Sequence, residues 1–259
     1  MTAPYSASEF TAILLARDLH DGERGAAGAS ATIPMAAILL ARALHAPNIQ
    51  IAGEMFVNPQ PRRLWHSMLD DRALGRCEAA ETFTELFEHS HRGLDFFFHS
   101  GLQIDRYGNI NLHFVGGTYD RPKMRGPGAA NISYAARSKR FYICATQHTP
   151  RVFVPAVDFI TIAGNLHGPD SRRQAGLVHE GPRYCITPLC VFDFAAETGL
   201  MRLKSVHPGV TPDQVDAASG FEVERPALVP TTSPPTEIEL ATLRRVVDPA
   251  GDLREGHSL

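Results

Sequence analysis

Short apolar runs alternate with segments of helical period along most of this chain, and that alternation constrains the fold more than any single motif. "IQIA", "LDFFFHS", "RFYICAT" and "VDFITIA" are too brief for helices of ordinary length. They read as strands buried in a sheet covered on both faces. Between them lie helices with recognisable starts. Ser6 and Glu9 form a capping box ahead of Phe10, Ile13 and Leu14. Pro34 stands near the first position of "PMAAILLARALH", which is apolar nearly all round and therefore expected to be buried. Thr82 and Glu85 open a third helix carrying Phe83, Leu86 and Phe87, with Gly93 as its C-cap. The pattern predicts an α/β layered fold with a largely parallel sheet.

Further along, "RYGN" reads as a turn and "INLHFV" as another strand. "PRYCITPLCVFDF" and "LMRLKSV" read as the arms of a hairpin across "AAETG", and Thr211-Pro212 starts a short helix. After the linker "ERPALVPTTSPPT", Thr236 and Glu239 cap a terminal helix with Ile238, Leu243 and Val247. One domain is expected over residues 1–225, with 226–259 supplying its linker and C-terminal helix.

Composition removes several function classes. The net charge of −3 leaves no basic footprint for nucleic acid. No segment approaches the ~20 apolar residues of a membrane span. The N-terminal "MTAPYSASEFTAILLARDLH" has neither basic leader nor cleavage site, so no signal peptide is expected. Cys77, Cys144, Cys185 and Cys190 are scattered without a CxxC pair, which points to reduced thiols and a cytoplasmic setting. There are twelve histidines but no HExxH, and His89 and His91, two apart on a helix, point different ways; no metal site is expected.

A few residues sit where chemistry is usually done. In "NIQIAGEMFVNPQP", Glu54 ends an apolar run just before a Pro-punctuated loop. It is either a charge emerging into water or a carboxylate that the fold presents. His148, in "QHTPRVF", and His99 also follow buried strands, the usual place for functional groups in an open α/β sheet and equally a place for histidines satisfied by backbone. The loop "MRGPGAANIS" holds Gly126, Gly128, Ala129 and Asn131, where glycine lets backbone approach a ligand or simply makes a turn. Asn109 reads as a turn holder, and Arg125 as a surface charge or a phosphate contact. GxGxxG, the P-loop and GxSxG are all absent, which removes dinucleotide, P-loop and serine-hydrolase readings.

Taken in order, these pieces resemble the β subunits of family I CoA-transferases of the glutaconate CoA-transferase type. "LARALHAPN" and the strand into Glu54 are similar to the family's approach to its catalytic glutamate. "LQIDRYGNIN" resembles its QID-YGN-N segment, "RGPGAANI" its Gly-rich loop, and "ATQHTPRVF" its strand followed by a Gln-His or Glu-His pair. "SVHPGVTPDQVDAASGFEVE" is similar to its closing segment. The resemblance implies an αβ enzyme, heterodimer or heterotetramer, whose active site lies between subunits. It implies coenzyme A as substrate, with no permanently bound cofactor, and a glutamyl-CoA intermediate on Glu54. His148 would orient the glutamate or a CoA phosphate, and Gly126, Gly128, Ala129 and Asn131 would line the substrate.

Two departures open an alternative. Met55 and Phe56 follow Glu54 where the family has small residues. The family's GxGxP oxyanion loop has as counterpart Ser30-Ala31-Thr32-Ile33-Pro34, where the hydroxyls of Ser30 and Thr32 would replace glycine amides. The chain also resembles the β subunits of steroid ring-cleaving hydrolases, in "HTPRVFVPAVD", "LCVFDF" and "SVHPGVTP". That branch opens a ring on a CoA thioester with water and draws its key glutamate from the α subunit. A third reading is an idle subunit that scaffolds a partner. Side-chain volume at Met55, Phe56 and Trp65 points to a bulky or cyclic acyl chain rather than a small dicarboxylate.

Overall fold

Ser6 caps α1 (Ala7–Arg17) in the computed structural model as its sequence requires. The Ser6 hydroxyl accepts from the Glu9 N–H at 3.0 Å, and the Ser6 N–H donates to the Glu9 carboxylate at 2.8 Å. The structure describes residues 4–28, 31–53, 55–65, 67, 71–90, 92–130 and 132–254. These fold as two compact units, one built from Met1–Phe98 with Pro234–Leu259 and the other from His99–Ser233.

In the first unit α1 is followed by β1 (Arg24–Ala26), α2 (Thr32–Leu44), β2 (Gln50–Ile51), β3 (Phe56–Val57), β4 (Ala79–Ala80), α3 (Phe83–Ser90) and β5 (Leu94–His99). β1 pairs in parallel with β2 on one side and β5 on the other. α2 packs against α1. Its Met35, Ala36, Ala37, Ile38, Leu40 and Ala41 are all buried, as a helix apolar all round must be. The chain end returns to this unit. The helix Glu237–Thr242 runs into a wider turn, Leu243–Val247, whose Leu243 and Val247 are buried while Ile238 is exposed. Two ion pairs tie it to α1: Arg244 to the buried Glu9 at 2.7 Å, and Arg17 to Glu239 at 2.7 Å.

The second unit contains β6 (Gln103–Asp105), β7 (Ile110–Asn111), β8 (Phe114–Gly117), β9 (Pro122–Arg125), α4 (Ile132–Arg137), β10 (Ser138–Cys144), β11 (Phe153–Val154), α5 (Ser171–Gln174), β12 (Gly181–Ile186), β13 (Cys190–Phe194), β14 (Met201–Val206) and α6 (Pro212–Ala218). β10 and β12 are parallel; β13 and β14 follow as antiparallel neighbours. Phe141, Ile143, Phe153, Ile162, Cys185, Phe192 and Leu203 form its core. The α/β class and the mostly parallel pairing agree with the sequence.

Three strand assignments differ, each for a polar reason. "VDFITIA" forms no strand and meets β7 only at the Ile162–Ile110 bridge. Its Asp158 accepts from the Gly116 N–H at 2.8 Å and its Thr161 from the Leu112 N–H at 2.8 Å, so the segment serves as a cross-link instead of a ladder. "INLHFV" breaks at Leu112-His113 because the Asn111 side chain captures the His113 N–H at 2.9 Å. "PRYCITPLCVFDF" is two strands, β12 and β13. They are joined at Thr187, whose hydroxyl accepts from both the Leu189 and Cys190 N–H groups at 3.1 Å. Cys144, Cys185 and Cys190 are buried free thiols. Among the described residues no helix is long and apolar enough to cross a membrane.

Candidate active site

Glu54, Ser30 and Asn131 lie outside the described residues, but the backbone on either side of Glu54 forms a closed frame. The Gly53 N–H donates to the Phe56 carbonyl at 3.1 Å, and the Asn58 N–H to the Ile51 carbonyl at 2.9 Å. Asn58 has φ 45°, a left-handed conformation that asparagine tolerates better than other side chains. Arg42, on the last turn of α2, locks this frame. Its guanidinium donates to the Ile49 carbonyl at 2.9 Å through Nε and to the Asn58 Oδ1 at 2.8 Å through Nη2. Asn58 in turn donates to Glu78 at 2.7 Å. Burial lowers the Arg42 pKa to about 10, which still leaves it charged at neutral pH. No local pattern announces this lock, since Arg42 and Asn58 are sixteen positions apart.

Thr32 is the first residue of α2, in the same unit. The N-cap Ala31 supplies no side-chain acceptor, so among the described residues the first amides of this helix have no side-chain cap.

The remaining candidates belong to the second unit. Gly126 and Gly128 lie after β9, and both direct their amides to backbone: Gly126 N–H to the His113 carbonyl at 2.7 Å, Gly128 N–H to the Leu112 carbonyl at 2.8 Å. A side chain at Gly126 would put its Cβ 2.1 Å from the Leu112 oxygen. Gly128 has φ +72°, and nothing stands within 4 Å of where its Cβ would be. The loop is thus pressed on residues 112–113 at one glycine and open at the other, leaving Ala129 next to the open position. Arg125 donates to the Tyr119 carbonyl at 2.6 Å and lies 5.1 Å from the Tyr119 ring centre.

His148 is buried and stacked on Phe153, with ring centres 4.2 Å apart. Both ring nitrogens are engaged. The Ser219 hydroxyl donates to the Val215 carbonyl at 2.9 Å, which leaves its oxygen to accept from Nε2 at 3.1 Å. The Thr187 oxygen accepts two N–H groups, and its hydroxyl lies 2.9 Å from His148 Nδ1 and 3.3 Å from the Cys190 carbonyl. This network assigns a neutral ring protonated on Nε2. Burial depresses its pKa to about 4, in keeping with that state. His99 is likewise buried, edge-on to Phe141, with its pKa lowered by burial to about 3.

The "QIDRYGNIN" segment forms a buried clamp. Asp105 Oδ1 accepts from the Tyr107 N–H at 2.9 Å and the Asn109 N–H at 3.0 Å, while Oδ2 accepts from the Asn109 amide at 3.0 Å. Asn109 then reaches across the unit, donating to the Leu166 carbonyl at 2.9 Å and accepting from the Gly164 N–H at 2.9 Å. Asp105 therefore holds the turn, and Asn109 fastens it to the 164–166 loop. Nearby, Asn111 donates to Gln103 at 2.7 Å, and Gln103 donates to Asp158 at 3.0 Å.

Residues 11–218 match the family described as "Coenzyme A transferase". The chain belongs to the coenzyme A transferase family. It is an enzyme chain of the CoA-transferase type. It is 32% identical over 243 residues to a 3-oxoadipate CoA-transferase subunit from Pseudomonas knackmussii, covering 93% of this chain and 92% of that protein. It is 30% identical over 250 residues to the cholesterol ring-cleaving hydrolase IpdB subunit of Rhodococcus jostii, covering 93% and 92%. The fold is that of glutaconate coenzyme A-transferase from Acidaminococcus fermentans, at TM-score 0.86 and 23% identity over 96% of this chain and 97% of that one. The family and the fold expected from "QIDRYGNIN" and its companions are both found.

Proposed function

We propose that this chain is the β-type subunit of a heteromeric CoA-transferase that moves CoA between an acyl-CoA and a carboxylic acid, with Glu54 as the nucleophile. The observation that carries the reading is the 32% identity, over nearly the whole chain, to a protein named as one subunit of a CoA-transferase. An α-type partner completes the enzyme, as the name of that relative implies for it.

The chemistry is covalent catalysis by a carboxylate. Glu54 attacks the thioester carbonyl of the acyl-CoA, giving a mixed acyl-glutamyl anhydride and CoA thiolate. The thiolate attacks the glutamyl carbonyl of the anhydride, releasing the first acid and leaving a glutamyl-CoA thioester. The acceptor carboxylate attacks that thioester to form a second anhydride, and the thiolate then takes the new acyl group, restoring Glu54. Each addition develops an oxyanion, which backbone donors stabilise. In this reading Ser30 and Thr32 supply such donors, and the loop of Gly126, Gly128, Ala129 and Asn131 meets the CoA thioester, with open space at Gly128. Arg42 and Asn58 hold the backbone on either side of Glu54. His148 acts as a positioning residue, because its ring nitrogens are occupied within the protein. No permanently bound cofactor takes part.

The test is to incubate the complex of this chain and its partner with a panel of acyl-CoAs and measure peptide masses. A mass increase of CoA less water on the peptide containing Glu54 supports the reading. Its absence, with a cyclic acyl-CoA gaining the mass of water while keeping its CoA, overturns it in favour of ring-opening hydrolysis.

A further inference from the structure

The strand break at Leu112-His113 lies directly against the glycine loop that follows β9. Successive carbonyls of a regular strand point to opposite edges, so two in a row cannot serve one loop. Here they do. The Leu112 carbonyl accepts from the Gly128 N–H at 2.8 Å, and the His113 carbonyl from the Gly126 N–H at 2.7 Å. The break is therefore what lets the loop dock, and side chains enforce it. Asn111 Oδ1 takes the His113 N–H at 2.9 Å, and the Thr161 hydroxyl takes the Leu112 N–H at 2.8 Å.

Thr161 and His113 act as a pair. Thr161 Oγ1 lies 2.7 Å from His113 Nδ1, a contact that either partner can donate, so it survives in both neutral tautomers. The His113 ring also packs on Phe159, with centres 4.5 Å apart. The segment 158–162 thus grips the break by a ring face, a ring nitrogen and a backbone N–H. That segment is itself fixed. Ile110 and Ile162 exchange two backbone bonds at 3.0 Å, and Asp158 accepts from the Gly116 N–H at 2.8 Å. Thr161 is buried, so water does not compete for its bonds. There is no slack above it either, since a Cβ on Gly126 would stand 2.1 Å from the Leu112 oxygen. Any movement of residues 112–113 passes to the loop. We propose that Thr161 and His113 are positioning residues for acyl-CoA, holding the glycine loop where it meets the substrate without touching the substrate themselves. This rests on the reading of that loop as lining the CoA thioester.

Thr161→Val keeps the side-chain outline but strands the Leu112 N–H. In the two-subunit enzyme it should raise KM for acyl-CoA about 10-fold with kcat little changed, the value of one hydrogen bond lost from uniform binding. Thr161→Ser keeps the hydroxyl and should bring KM back to within about twofold of the parent. His113→Phe keeps the packing on Phe159, loses the nitrogen, and should raise KM about threefold. Added to Thr161→Val it should change little, because both remove one shared contact. Hydrogen exchange in the full-length chain, well below melting, gives a readout without turnover. The peptide holding Gly126 and Gly128 should exchange about 10-fold faster in Thr161→Val, and a peptide from α1 should not. Melting curves show whether each variant is folded; if Thr161→Val is not, His113→Phe carries the same tests. Unaltered exchange at the loop, or a serine variant no better than valine, would overturn the proposal. Faster loop exchange with unaltered KM overturns it too, and places the fault in the reading of the loop as a substrate contact. The Glu54 adduct is sought in the parent enzyme, so failure of the transferase reading shows separately.

Discussion

The Arg42 guanidinium donates to the Asn58 side-chain oxygen at 2.8 Å, joining the end of α2 to a left-handed residue just past β3. The bond spans the segment that contains Glu54, and it pairs a half-buried cation with a neutral amide. Removing the cation leaves the Ile49 carbonyl and the Asn58 oxygen short of a charged donor. Arg42→Met should lower the unfolding free energy by about 3 kcal/mol. Asn58→Gly keeps the backbone conformation at φ 45° accessible and should cost only about 1 kcal/mol. Under the transferase reading both should reduce kcat more than they raise KM, because they loosen the backbone around Glu54, the proposed nucleophile. The double variant should lose less stability than the two single losses together, since one bond is shared. Urea unfolding and steady-state kinetics of the three proteins check this, and strict additivity would exclude the coupling.

Asp105 is the anchor of the second unit. Burial raises its pKa, against the opposing pull of the Asn109 side chain and the Tyr107 and Asn109 N–H groups. Asp105→Ala strands those three donors inside the protein and should destabilise by roughly 3 kcal/mol or more. Asp105→Asn fills the same volume but turns an N–H toward the Asn109 amide, so it should recover only part of the loss. Denaturant midpoints of the two variants give the ranking, and an alanine variant as stable as its parent would show that the clamp contributes nothing.

What can be read from the chain in advance is whatever depends on neighbours along it. Capping boxes at Ser6–Glu9 and Thr236–Glu239 are settled within four residues, and they appear as expected. Glu54 and His148 stand out because they follow apolar runs. The partners that explain His148, Thr187 and Ser219, lie 39 and 71 positions away and carry no local signal. The same holds for Thr161 and Asp158, whose side chains take backbone N–H groups from residues 112 and 116 and so convert an apparent strand into a cross-link.

Three buried histidines set the acid limit of the fold. His99 and His148 have pKa values depressed to about 3 and about 4 by burial, and burial also lowers His207 despite its contact with the Thr187 carbonyl. Below the ordinary value of 6.5 the unfolded chain takes up protons that the native chain refuses, so stability rises with pH across this range and is lost as pH falls from 6.5 toward 4. Glu239 works in a different window. Glu239 is raised by burial but pulled down further by Arg17 and Thr236, to about 2, so its contribution fades only below its ordinary value of 4.5. Melting temperature should accordingly decline between pH 6.5 and 4.5, before Glu239 matters, with Asp105, whose pKa burial raises, opposing part of the decline. His148→Asn should flatten that decline while lowering stability at neutral pH. An unchanged slope in the variant would remove His148 from the account.

The two glycines of the loop after β9 should behave differently when each is given a methyl group. At Gly126 the new Cβ would stand 2.1 Å from the Leu112 carbonyl oxygen, a backbone atom that cannot turn aside. Gly126→Ala must therefore push the loop off residues 112–113, break the bond to the His113 carbonyl, and cost about 2 kcal/mol or more. At Gly128 there is space, and the penalty is the left-handed backbone at φ +72°, about 1 kcal/mol. If the open side of Gly128 faces the CoA thioester, Gly128→Ala should fold nearly as well as the parent yet raise KM for acyl-CoA severalfold. Gly126→Ala should lose stability first and activity as a consequence. Thermal melts read beside KM for acyl-CoA separate the two effects. A Gly128→Ala enzyme with unaltered KM would place the substrate elsewhere and leave this loop as scaffold.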